Sequence, residues 1–196
     1  MEKQRSLASY RAIDLMLWAA ILVIFEGIIL RAARSLLFAD QAFTVSLAAA
    51  VTAIVFMRWG AWGGLHAALA GAVYAVMNGG GWKPLLIYII GNLLSLVCVP
   101  LMNRAGREKV RTTRWLSMAA GLGTVLLMQL GRALTGLVLG VPLEGCIRYF
   151  TTDALSLVFT LVIVWIVRRL DGVFEDQRHY LSRFQKEQEK ERMEQG

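Results

Sequence analysis

The chain has 196 residues, 57% of them hydrophobic and 18% charged, with a mean hydropathy of +0.54. A water-soluble domain of this length does not carry that apolar load, and the charges are bunched between long apolar runs; the composition is that of a multi-span membrane protein. The net charge of +7 does not point to nucleic acid, because the basic residues sit in short stretches beside apolar runs, where anionic headgroups supply the counter-charge.

A membrane-crossing helix needs about 20 apolar residues. Six such runs occur, near 12–31, 41–58, 60–78, 84–102, 115–136 and 151–168. The first contains Asp14 and Glu26 and lacks a small-residue cleavage site followed by a soluble domain, so it reads as a span and not as a removable signal. Only Arg58-Trp59 separates the second from the third, which predicts a tight hairpin. In the third, Gly60, Gly63, Gly64, Ala67, Gly71 and Ala75 recur at four-residue spacing. Small residues let neighbouring helices approach closely in lipid, so this run is expected to be the central helix.

The stretch from Asn78 to Pro84 is a turn, broken by three glycines and the proline. Between the fifth and sixth runs, 136–149 is apolar but interrupted by Gly136, Gly140, Pro142 and Gly145, and is expected to fold back as a short cap. Leu170, Val173, Phe174, Leu181 and Phe184 then recur at helical spacing, an amphipathic helix for the membrane surface. Beyond Phe184 nearly every residue is charged or an amide, a solvated or disordered end. The expected organisation is all-α: a six-helix membrane domain over 1–170 and a cytoplasmic helical tail over 171–196. Cys98 and Cys146 fall in different segments on opposite sides, so neither a disulfide nor a metal site is expected from them.

Lys and Arg in the connecting stretches set the orientation. One side collects Lys3, Arg5, Arg11, Arg58, Arg104, Arg107, Lys109, Arg111, Arg114, Arg168 and Arg169; the other has Arg31, Arg34, Lys83 and Arg148. Both termini and the 103–114 loop are therefore expected in the cytoplasm.

Polar side chains within membrane segments are expensive and mark candidate sites. On this topology Glu26, Arg31, Asn78, Trp82, Tyr88, Asn92, Gln129, Arg132, Glu144, Arg148 and Asp153 all fall toward the outer half, while the inner half holds Asp14, expected to pair with Arg11, and His66, expected to be a packed core histidine. Two readings stand: structural pairing alone, or a small-molecule site open to the outside. An HExxH zinc motif, a GxSxG elbow and a P-loop are all missing from the sequence, so no catalytic residue, metal or cofactor is expected.

Six helices within 196 residues, both ends inside, a Gly/Ala-rich third helix and Tyr88-Ile89-Ile90-Gly91-Asn92-Leu93-Leu94 in the fourth resemble the substrate-binding S components of energy-coupling factor (ECF) transporters, over about residues 8–170. The resemblance implies a plasma-membrane subunit of a prokaryote that captures a vitamin or related micronutrient at the outer face and works with a T component and two ATPases. The outer polar residues named above would then contact the cargo, with 32–40 and 137–150 as lids. Arg132 would hold a carboxylate or phosphate, and its replacement by Ala would abolish uptake while leaving insertion intact. The family's docking feature, small residues at four-residue spacing on the first helix, matches Ala8 and Ala12 and returns at Ala20 after Met16. Position 2 is Glu2, not the histidine of the metal-carrying members, which disfavours metal cargo. The competing class is a scaffolding protein of the cell-envelope machinery, suggested by the charged tail. A stand-alone secondary transporter is disfavoured by the absence of an internal repeat.

Overall fold

Backbone polar groups in a bilayer must be satisfied within the chain, and a helix does this segment by segment. In the computed structural model, which describes residues 7–37, 43–170 and 193, every regular element is helical. In chain order these are α1 (Leu7–Ala32, continued by a wider π turn Ala33–Leu37), α2 (Ala48–Trp59), a 3-10 turn (Gly60–Trp62), α3 (Gly63–Met77), α4 (Trp82–Leu93), a 3-10 stretch (Leu94–Val97), α5 (Cys98–Ala105), α6 (Arg107–Thr112), α7 (Arg114–Val138), α8 (Leu143–Thr151) and α9 (Ala154–Arg168).

Five helical runs are long and apolar enough to cross a membrane: 8–35, 48–77, 82–105, 114–138 and 143–168. The chain is a membrane protein. Six runs were expected, and the difference lies in 48–77. Its backbone turns at Gly60, at φ 63 and ψ −131, a conformation that favours glycine. Ala70 packs in one cluster with Ala48 and Val51, although a straight helix would hold Ala48 and Ala70 about 33 Å apart. The run therefore doubles back as the expected hairpin. Its first leg is short: the second helix begins at Ala48, not near 41, because 43–46 forms no regular element and its polar groups bond sideways to Glu26 of α1 and to Thr152, Asp153 and Ser156 around the start of α9.

The enclosed element is α2 and not the glycine-rich α3. All twelve residues of α2 are buried, as suits a helix that is apolar all round except for Thr52 and, near its end, Arg58. α3 instead supplies close contacts. A Cβ at Gly71 would overlap the Tyr88 carbonyl of α4, and one at Gly63 would strike the Phe56 ring of α2. A second close contact joins α4 to α7, where a Cβ on Gly91 would lie 2.6 Å from Cα of Arg132 and one on Gly131 would overlap the Gly91 carbonyl oxygen. Only glycine permits this approach, and it sets Asn92 and Arg132, the neighbours of the two glycines, against each other.

The fourth run tightens to 3-10 geometry at Leu94–Val97, just before Pro100, which has no N–H to offer the Leu96 carbonyl. The 136–149 segment departs from a plain cap: α7 continues to Val138, a turn through Gly140 (φ 82) follows, and α8 then packs against α7, burying Cys146 beside Gly136. The remaining part of the first proposed lid (38–40) and, Met193 aside, the tail from 171 lie outside the described residues.

Candidate functional site

α1 runs antiparallel to α2 and grips it at both ends with carboxylates. At one end Glu26, fully buried, accepts from Ser46 Oγ (2.6 Å) and from the Leu47 backbone N–H (2.6 Å). Ser46 Oγ also accepts from the Ala48 N–H at 3.1 Å. The first backbone donors of α2 have no carbonyl one turn back, and these side chains satisfy them where no water reaches. At the other end Asp14 binds Arg58 in a two-pronged pair (2.7 and 2.9 Å) and accepts from Trp59 Nε1. The expected pairing of Asp14 with Arg11 is corrected accordingly: the Arg11 guanidinium lies 4.6 Å above the Trp62 ring instead. His66 is buried as expected, with Nε2 bonded to the Leu15 carbonyl at 3.0 Å.

From Glu26 the polar contacts run on into the bundle. The Ser46 N–H donates to Ser156 Oγ (3.0 Å), and that hydroxyl donates to Asp153 Oδ1 (2.6 Å). Asp153, just before α9, also accepts from Thr44 Oγ1 at 3.1 Å and forms an ion pair with Arg132 Nη1 at 2.7 Å. Arg132 Nε donates to Asn92 Oδ1 (2.8 Å), and Asn92 Nδ2 donates to the Ala67 carbonyl of α3 (3.0 Å). Gln129 Nε2 reaches the Asp153 carbonyl at 3.4 Å, while its buried Oε1 has no hydrogen-bond partner. Tyrosines close one side. The Arg132 guanidinium is 4.9 Å from the Tyr88 ring centre and 5.9 Å from that of Tyr74; Tyr88 in turn stacks with Tyr74 (4.4 Å) and meets Tyr149 edge-on (5.9 Å).

The structure thus brings Glu26, Tyr88, Asn92, Gln129, Arg132 and Asp153 into one buried constellation. Others named from the sequence stay outside it. Among the described residues Glu144 and Arg148 pair only with each other along α8 (3.0 Å), with 82% and 67% of their side chains exposed. Arg31 and Trp82 are exposed. Asn78 ends α3, accepts from Arg34 and donates to the Tyr74 carbonyl. Ala8, Ala12 and Ala20 lie on the exposed face of α1.

Thr44, Ser46, Ser156, Tyr74 and Tyr149 belong to the constellation but were not singled out. Two of them had a legible signal. Ser46 precedes an apolar helix at a capping position, and Tyr74 continues the Ala67–Gly71 face of α3. The Ser156 and Tyr149 contacts depend on how α8 and α9 pack, which no local pattern encodes. No group of three or more metal-ligating side chains occurs among the described residues.

The chain matches no family model, no curated protein and no solved structure. The geometry therefore carries the functional argument alone. It holds a guanidinium, two carboxylates, two amides and a tyrosine wall together inside an apolar bundle.

Glu26→Gln tests the link between α1 and α2. The amide keeps one acceptor but turns an N–H₂ toward a second donor, so unfolding in detergent is expected to become easier by about 1–3 kcal/mol. An unchanged thermal midpoint would show that the carboxylate is not what satisfies the start of α2.

Proposed function

We propose that this chain is the substrate-binding membrane subunit of an importer of the ECF type, capturing a vitamin-like micronutrient at the outer face of a prokaryotic plasma membrane. On this reading it is not an enzyme. It works with a T component and two ATPases, α2 and α3 count as separate passes to make six, and both termini are cytoplasmic by the excess of Lys and Arg on that side. One observation carries the proposal: the Arg132–Asp153 pair, 5% and 7% exposed, with Asn92, Gln129 and Tyr88 around it. Ionisable groups this deep in an apolar bundle are costly, and binding sites are where membrane proteins place them.

Native mass spectrometry of the gently purified full chain tests this. A small molecule retained by the wild type and lost in Arg132→Lys, which keeps the charge but not the planar fork, is the expected result. Internal pairing of Arg132, Asp153 and Glu26 favours a second reading, a scaffold of the cell-envelope machinery in which the network only ties helices together. Co-purification of wall-synthesis or cytoskeletal proteins, with no retained small molecule and no ATPases, would put that reading in place of the first.

A further inference from the structure

Resting on the binding-subunit reading, we infer that the cargo is a zwitterion or a neutral amphoteric heterocycle, one that presents an acceptor and an N–H donor side by side, and not a simple carboxylate or phosphate. The charges already in the constellation decide this. Among the described residues Arg132 is the one guanidinium in it, and two of its three nitrogens bond internally, Nη1 to Asp153 and Nε to Asn92. Asp153 takes that cation directly, while Glu26 joins the network through Ser46 and has both oxygens occupied by the Ser46 hydroxyl and the Leu47 N–H.

A monoanion arriving at Arg132 would compete with Asp153 and leave that carboxylate short of its cation in a medium that punishes unpaired charge. A ligand bearing both polarities can instead replace the Arg132–Asp153 contact in kind, its acceptor taking the guanidinium and its donor taking Asp153. Gln129 supplies the independent indication. Its Oε1 is buried, in a residue 1% exposed, and receives no hydrogen bond. That oxygen needs a donor, and its amide nitrogen already binds the Asp153 carbonyl, so the missing donor is called for beside Asp153. The tyrosine wall of Tyr74, Tyr88 and Tyr149 suits a flat ring better than a branched chain.

The probe is the low-molecular-mass metabolite extract of the expression host, incubated with the full-length protein in mild detergent and read by native mass spectrometry with fragmentation of the released ligand. A net-neutral ligand carrying both donor and acceptor is expected, its retention falling at least tenfold in Asp153→Asn, with Gln129→Met, which removes the acceptor that the ligand's N–H meets, retaining it more weakly than Gln129→Glu, which keeps one. A retained monoanion whose binding strengthens in Asp153→Asn, because Arg132 is released, would overturn this inference and leave the binding-subunit reading standing. No ligand retained by the wild type would overturn both. Size-exclusion profiles separate misfolding from lost binding; if Asp153→Asn is not monodisperse, the two Gln129 variants decide the matter by the same ordering.

Discussion

Replacing Arg132 with Ala is expected to destabilise the protein by about 3–5 kcal/mol, the cost of leaving one partner of a buried ion pair behind. The reason is local and complete in the contacts. Asp153 is buried, and its Oδ2 faces Arg132 at 2.7 Å while Oδ1 already takes Thr44 and Ser156. Without the guanidinium, the carboxylate has hydroxyl partners but no cation. Asn92 Oδ1 loses its donor as well. The expectation from sequence, that Arg132→Ala removes function while insertion proceeds normally, gains a second part: the variant is expected to insert but to unfold at a markedly lower temperature. Arg132→Met combined with Asp153→Leu removes both charges and is expected to recover most of the loss, since a buried pair contributes little net stability over apolar groups of similar size. Thermal unfolding of the wild type and the single and double variants in one detergent reads this directly. A double variant no more stable than Arg132→Ala would mean that the pair is not the dominant interaction at this place.

The second large effect belongs to a residue with no side chain. Gly131→Ala is expected to destabilise by about 1–3 kcal/mol or more, the range for overpacking a filled interior. The added Cβ would overlap the Gly91 carbonyl oxygen and sit 2.8 Å from Cβ of Leu94. The main obstacle is backbone, so no rotamer change relieves it and α4 must move away from α7. That movement would also pull Asn92 off Arg132, so any retained ligand is expected to be lost together with stability. Gly81→Ala is the control. Its φ of −78 is open to any residue and nothing lies within 4 Å of a Cβ there, so it is expected to be neutral. Equal behaviour of the two variants would show that the α4–α7 contact is looser than the structure has it.

These two sites differ in how far the sequence exposes them. Arg132 and Asp153 stand out because an ionisable residue inside an apolar run is conspicuous in any linear reading. Gly131 does not: a lone glycine in a helix says nothing about which neighbour presses on it. The four-residue stripe of small residues in α3 did announce close packing, and Gly71 delivers it against Tyr88. The same stripe misidentified the centre of the bundle, which is α2. Small residues mark where helices approach, whereas enclosure depends on how many neighbours surround a helix, and that is a property of the assembly.

The sequence by itself determined the environment, the helical class, a hairpin between the second and third runs (expected at Arg58-Trp59, found at Gly60) and the membership of Glu26, Asn92, Gln129, Arg132 and Asp153 in a polar set, because hydrophobic run length and the cost of buried charge are written residue by residue. Only the tertiary structure decided the partners. Asp14 goes to Arg58 instead of Arg11, Glu26 to the start of α2, and Glu144 and Arg148 to each other on an exposed face. A side chain's partner is set by the rotation of its helix about its own axis and by the register between helices, and both follow from glycine contacts and packing across segments far apart in the chain.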